Sequence, residues 1–386
     1  MSRSAPRAIL YILNSSALAG ANRSLAVLLS GLDRSRFRPL AVVPRDGPVC
    51  RRLHELEVPI HTLPLASLAR LRAGPIVKLR AAARNSLNTV RLAAVLRHED
   101  VRLVHTNTIF PLTGALVAKA LGRPHVWHVR EGMDWPGYAL RFGRPVSRWL
   151  VGALSRRIIC ISDYVRQVSV AAGARERALV VPNALEEVPP MHAAPNLNAP
   201  VIGLVGVISR QKRTDIFVEA AARVAARLPG ARFIVAGRPT SGEEPFADAC
   251  RERATALGLG NRMLWPGQVE DTAGLFAGLD LLIHTGVHEG FGRVLMEAMA
   301  HGIPVVSVRS GAAAEIVDDP ATGRLVEPND VAALAAAALD LLGDPDRYRR
   351  TATAARRYAL ARFDPARHVQ AVTAVYEALL GPATGA

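Results

Sequence analysis

Apolar and polar positions along the chain alternate between two textures. Short apolar runs with polar flanks, such as A-I-L-Y-I-L at 8–13 and V-I-G-L-V at 201–205, read as strands buried on both faces of a parallel sheet. Between them, apolar residues recur at helical spacing, as Val294, Leu295, Ala298 and Met299 do. The pattern predicts strands over 8–14, 39–44, 58–62, 101–105, 125–129, 157–161 and 179–181. It then predicts strands over 201–206, 232–236, 263–267 and 279–283, one from Pro304 and a last one over 323–328. Helices fall between them, including 64–97, 111–121, one capped by Ser162, one from about Arg213, 271–277, 330–342, 347–361 and 365–380. This alternation implies an α/β chain with two doubly wound domains facing a central cleft. A proline-rich, aperiodic stretch at 186–200 reads as the linker. The expected division is therefore a first domain over 1–185, a second over 201–363, and a closing helix over 364–386.

The rest of the chain makes most sense around residues 284–306, H-T-G-V-H-E-G-F-G-R-V-L-M-E-A-M-A-H-G-I-P-V-V. Gly290 and Gly292 bracket Phe291 at a strand-to-helix turn, and Gly302 suits the helix C-terminus. Such a turn offers bare backbone N–H groups and the positive end of the helix dipole to a phosphate or another anion. Glu289 precedes the helix, and Glu297 lies roughly two turns along it at 3.6 residues per turn. The two carboxylates can therefore serve different parts of one ligand, and their paired acceptor oxygens suit sugar and ribose hydroxyls. A second strand-to-helix turn, after Gly206, carries Arg210, Lys212 and Arg213, a set of cations fit to hold a diphosphate. In the first half, Gly20 marks the turn after the first strand. The run H-V-W-H-V-R-E-G at 125–132 ends a strand in polar residues, where ligands of open α/β sheets bind, which makes His128 a candidate. The triple-glycine dinucleotide pattern and the Walker pattern are both absent from the first turn, which argues against NAD and ATP.

The string E-G-F-G-x-x-x-x-E-A-M-A-x-G-x-P-V-V resembles the E-x7-E signature of retaining glycosyltransferases of family four, which have the GT-B fold. The resemblance covers nearly the whole chain, is strongest from about 201 to 326, and implies that the closing helix at 364–386 packs back on the first domain. It implies transfer of a sugar from a nucleotide diphosphate sugar, with front-face attack and the donor phosphate helping to take the acceptor proton. It implies that Glu289 orients the donor sugar and Glu297 holds the ribose, while Lys212 holds the diphosphate. Gly290, Phe291 and Gly292 would form the donor turn, and Gly267 and Val269 would border the nucleobase. His128 would lie near the acceptor and the donor sugar, and Gly20 beside the donor phosphates. The catalytic set so implied is Glu289, His128 and Lys212. The chain departs from the family at Ala19, Ala184 and Arg213, each standing for a glycine, and at Val207, standing for an arginine. Arg210 is the expected replacement for that cation. Neither a metal nor a cofactor is expected.

Charge adds a partner. The net charge is +15, but residues 1–185 hold 28 Lys/Arg against 10 Asp/Glu, and residues 186–386 hold 20 against 23. The first half is thus +18 and the second −3. Over 64–97, Arg70, Arg72, Lys78, Arg80, Arg84, Arg91 and Arg97 accompany leucines and valines with no acidic residue before Glu99. That combination suits an anionic membrane surface and a lipid-linked glycan acceptor. The three cysteines are widely spaced, which suits a reducing compartment, and no apolar run approaches the length of a membrane span. The apolar run at the N-terminus is broken by Asn14, Ser15 and Ser16 and reads as a strand rather than a signal peptide. The expected location is the cytoplasm, at the inner face of the membrane. Two other readings remain open. A sugar-nucleotide epimerase could use the same fold without an acceptor. A nucleic-acid binder would explain the basic half but leave the E-x7-E turn idle, and the chain lacks a basic motif interleaved with aromatics.

Overall fold

The computed structural model describes residues 5–65, 83, 87–137, 140, 143–192, 195–317 and 319–381. The chain divides into two units, residues 1–186 with 365–386, and residues 187–364.

In the first unit seven strands lie parallel: β1 (Arg7–Leu13), β2 (Phe37–Val43), β3 (Ile60–Thr62), β4 (Val101–Asn107), β5 (His125–Val129), β6 (Arg157–Cys160) and β7 (Ala178–Val180). Their order across the sheet is β3-β2-β1-β4-β5-β6-β7. The two-residue period of a strand explains why each reads as a continuous apolar run. Along β1, Ala8, Leu10 and Ile12 enter one core with Leu40, Val42 and Val104. The intervening Ile9, Tyr11 and Leu13 enter another, with Leu25, Leu28 and Phe37. The helix Pro365–Leu380 belongs to this second core, burying Val372, Val375 and Tyr376. The Tyr376 hydroxyl lies 3.2 Å from the Tyr11 hydroxyl and is hydrogen-bonded with His105 Nδ1 at 2.8 Å. Cys50, Cys160 and Cys250 are all buried free thiols.

The second unit repeats the plan with β8 (Val201–Val205), β9 (Arg232–Ala236), β10 (Met263–Gly267), β11 (Leu281–His284), β12 (Val305–Val308) and β13 (Arg324–Val326). The order is β10-β9-β8-β11-β12-β13, again all parallel. Its core gathers Ile202, Leu204, Phe217, Phe233, Val235 and Ile283 beneath the helices Thr214–Arg227 and Val331–Leu342. Aspartates set several helix starts by accepting from the first-turn N–H groups: Asp271 from Gly274 at 2.8 Å, and Asp330 from Ala333 at 2.8 Å. Asp344 does the same for Asp346 and Arg347, so the acidic string 344–346 is a helix cap.

Both sheets are α/β and doubly wound, as the alternating pattern predicts. In each, the strand order reverses once, between β1 and β4 and between β8 and β11. At such a switch point the two neighbouring strands feed helices on opposite faces, and their following turns diverge around an open end of the sheet. Of the basic stretch at 64–97, Arg70, Arg72, Lys78, Arg80 and Arg84 lie outside the described residues. Residues 87–95 are helical and continue into a short 3-10 turn, Leu96–His98. No helix among the described residues is long and apolar enough to cross a membrane.

Candidate active site

The turn after β8 and the turn after β11 meet at the second unit's switch point. Three hydrogen bonds zip them together. Val287 N–H donates to the Gln211 carbonyl at 2.8 Å, Thr285 Oγ1 to the Lys212 carbonyl at 2.7 Å, and Gln211 Nε2 to the His288 carbonyl at 3.4 Å. The zip carries Lys212 to Glu289, and Lys212 Nζ donates to Glu289 Oε2. Their side chains retain 18% and 19% exposure, enough for a ligand to reach both. Burial by itself would push the Glu289 carboxyl up. The Lys212 ammonium and the His284 ring, whose Nε2 lies 3.6 Å from Oε2, outweigh it and hold the carboxyl well below its usual range.

The backbone of Glu289 is fixed as firmly as its side chain. Its carbonyl accepts from Ala312 N–H at 2.9 Å, and His288 N–H donates to Ser310 Oγ at 3.0 Å. Gly311 makes this approach feasible: it sits at φ +60°, and a Cβ there would lie 2.3 Å from the Glu289 carbonyl oxygen. Gly292, at φ +82°, turns the chain into the helix Arg293–His301. No side chain caps that helix start, where the helix dipole presents its positive end.

Other residues singled out from the sequence take varied positions. Glu297 lies on the helix and pairs with Arg293 at 2.9 Å, both largely shielded. Gly290 is half-buried beside Glu289. Phe291 is buried, its ring edge-on to Phe363 at 5.6 Å, so it can offer a ligand backbone rather than ring. Gly267 ends β10 at φ +74°, with open space where a Cβ would stand, and Val269 is half-buried just beyond it. Arg210 is not brought to the Lys212–Glu289 pair. Its guanidinium pairs with Glu243 at 2.8 Å and lies over the Phe246 ring, with 61% of the side chain exposed. The acidic partner, 33 residues away, holds it on the outer side of the turn. Arg213 likewise turns to Asp215 and Asn329.

In the first unit, Gly20 is the exposed first residue of the helix Gly20–Ser30 rather than part of a glycine loop. The helix is nucleated by Ala19, whose carbonyl accepts from Asn22 and Arg23 N–H, so nothing there requires a glycine conformation. His128 is fully buried on β5 and sits 5.3 Å from the His105 ring, centroid to centroid. Burial, with Arg130 close by, holds both rings well below the ordinary imidazole range. The group at the end of β5 is Arg130, nearly buried, donating to Asn107 Oδ1 at 2.6 Å, Asn183 Oδ1 at 2.7 Å and His128 Nδ1 at 3.4 Å. Burial pushes the neighbouring Glu131 carboxyl up to about 7. Asn107 was invisible to sequence reasoning, because an amide at a strand end carries no spacing of its own. Asn183 stands in the turn whose family glycine is replaced by Ala184, but nothing local shows that it accepts from Arg130. His284, Thr285 and Gly311 stand in or near the glycine-rich turn but show their roles only through partners on other strands.

The geometry matches known proteins. A family model described as Glycosyl transferases group 1 matches residues 191–358, and one described as Glycosyltransferase Family 4 matches residues 18–187. A lipopolysaccharide core biosynthesis mannosyltransferase of Rhizobium leguminosarum is 29% identical over 70% of this chain and 83% of its own length. A GDP-mannose-dependent alpha-mannosyltransferase of Mycobacterium tuberculosis is 26% identical over 90% of this chain and 89% of its own. Among solved structures, Anabaena HepE in complex with UDP and glucose superposes with a TM-score of 0.80 at 24% identity, over 96% of this chain and 99% of that one. The two models between them take in both sheets with their turns, and the chain belongs to the family-four glycosyltransferases, with the GT-B fold.

Proposed function

We propose that the protein is a retaining glycosyltransferase that moves a sugar from a UDP- or GDP-sugar to a lipid-linked glycan or another cell-surface polysaccharide precursor. The observation that carries this reading is the Lys212–Glu289 pair, held beside an uncapped helix start. As the bond from the sugar to the diphosphate breaks, negative charge gathers on the leaving phosphate, and preorganised cations and N–H groups aimed at it lower the barrier. Lys212 and the first turn of the helix Arg293–His301 are those groups in this reading. Glu289 accepts hydrogen bonds from the donor sugar and orients it, while the acceptor proton passes to the donor phosphate. Glu297 accepts from the ribose, and Gly267 and Val269 border the base. Arg210 is an outer, minor contact. The second domain, 201–363, takes the donor. The first, 1–185, takes the acceptor, with Arg130 held in place by His128. The linker 186–200 and the closing segment 364–386 join them.

The mannosyltransferase relatives, one of them named for GDP-mannose, make GDP-mannose the first donor to try. The basic first half, with Leu87, Val90 and Val95 exposed on the helix at 87–95, supports placement at an anionic membrane on the cytoplasmic side. A thermal-shift screen of UDP, GDP and their sugars tests the donor, since a ligand at a hundred times its Kd adds about 2.7 kcal/mol to stability. NMR of the glycoside product then tests retention. Stabilisation by no nucleotide sugar would sink the reading, and conversion of the donor without an acceptor would replace transfer by epimerisation.

A further inference from the structure

His284, at the end of β11, has a role that neither the turn motif nor the Lys212–Glu289 pair assigns. Its Nδ1 lies 3.0 Å from Ser307 Oγ on β12. Ser307 Oγ also lies 3.2 Å from the Val308 carbonyl, so its hydroxyl proton can point to that carbonyl or to Nδ1. Nε2, fully buried and without a hydrogen-bond partner among the described residues, lies 3.6 Å from Glu289 Oε2. A neutral ring has one nitrogen without a proton, and only the imidazolium donates toward Ser307 and Glu289 at once. The Lys212 ammonium sits on that same Glu289 oxygen. The charged groups facing the ring are Lys212, from the turn after β8, and Glu289, from the turn after β11, while Ser307 on β12 is neutral.

We propose that His284 is a positioning residue that takes up a proton from solvent when an anionic ligand draws Lys212 off Glu289, so that the carboxylate keeps a cationic neighbour and stays in place. The inference rests on the reading that a nucleotide diphosphate binds Lys212. In the free protein burial is the main force keeping the ring neutral, and the nearby ammonium adds to it. Moving that ammonium onto a phosphate removes a repulsion and leaves the attraction of Glu289.

Two measurements on the full chain test this. Calorimetric titration with GDP and UDP in buffers of different ionisation enthalpy at pH 7.5 should show net proton uptake in the wild type and none in His284→Gln. Absence of uptake in the wild type, or its persistence in the variant, overturns the proposal. In the free protein, NMR of labelled histidine rings should show His284 titrating at higher pH in Lys212→Met than in the wild type. An unmoved titration overturns the coupling whether or not any nucleotide binds. Failure of both nucleotides to bind, with the titration shifted, would instead sink the donor reading and leave the Lys212–His284 coupling standing.

Discussion

The two switch points occupy equivalent places in their sheets and end in different chemistry. Between β8 and β11, Lys212 and Glu289 form a charged pair that keeps a fifth of its side-chain surface open. Between β1 and β4, Asn107 donates to the Ala21 carbonyl at 3.1 Å, and the neighbouring cation, Arg130, is packed into amide oxygens with 6% exposure. Two fully buried histidines, His105 and His128, lie behind it. The lesson is that topology supplies the place and burial sets its use. A half-open ion pair can exchange its partner for a ligand, because the desolvation already incurred is partial. A sealed guanidinium held by amides is built to stay where it is.

The largest expected effect lies outside both switch points and asks whether the basic half needs its charge. Replacing Arg72, Lys78, Arg80 and Arg84 together by glutamine should weaken binding to anionic vesicles by about 4 kcal/mol, roughly a thousandfold, at about 1 kcal/mol for each cation. Nucleotide binding should be unchanged. Co-sedimentation at low and high salt reads this, and a wild type that stays in the supernatant at low salt ends the membrane proposal.

Next, Lys212→Ala should cut turnover by about 10²–10³-fold, the scale seen when one preorganised charge contact is removed. Arg213→Ala, paired away from the site, should cost far less. Steady-state kinetics of both variants decide the matter, and equal losses would mean that the switch point does not single out Lys212.

Acid should separate the two units. The pKa values of His105, His125 and His128 are depressed by burial in the folded state, His125 to about 4. Below the ordinary value of 6.5 the unfolded chain binds protons that the folded chain refuses, so stability falls as pH drops from 6.5 toward 4. For His125 alone the loss is about 3 kcal/mol. The raised Glu131 carboxyl, which gains its proton over the same range, offsets about as much. The net loss therefore comes from His105 and His128, whose rings are held well below the ordinary value. Glu289 acts with the same sign but later, because its depressed carboxyl contributes stability that is lost only below the ordinary carboxylate value of 4.5. Hydrogen exchange followed by mass spectrometry from pH 7 to pH 4.5 should show the first unit loosening first. Uniform loosening, or earlier loss in the second unit, would contradict the deeper depression of the first unit's histidines relative to His284 and His301 in the second.

Smaller effects sharpen the second switch point. Glu297→Ala should weaken the donor Kd by about 1.5–3 kcal/mol if a ribose hydroxyl bonds the carboxylate, and an unchanged Kd in a folded variant would remove Glu297 from the donor. Arg210→Ala should alter turnover by less than about fivefold, because an exposed pair is worth at most about 1 kcal/mol. A larger loss would show that Arg210 leaves Glu243 for the donor.

Much of this was legible in the residues themselves. Buried parallel strands are apolar on both faces, so the runs announce β1 and β8 directly, and the 284–306 turn carries its glycines, its carboxylate and its helix period in one continuous string. The basic turn was harder. Arg210, Lys212 and Arg213 lie within four consecutive positions, and nothing in that order says which one faces Glu289. Glu243 and Asp215 settle it by claiming the two arginines. Gly20 was equally ambiguous, since glycine fits a loop and a first helical turn alike, and Ala19 supplies the capping carbonyl.

The sequence by itself determined the α/β alternation, the family and the turn that holds Glu289, because each depends on residues close together in the chain. Only the tertiary structure decided that Lys212 meets Glu289, that His284 lies between Ser307 and Glu289, and that His128 is sealed beneath Arg130. Those pairings join residues on different strands of a sheet. Their distances follow from strand order, and their protonation follows from burial, and neither quantity is written in local spacing.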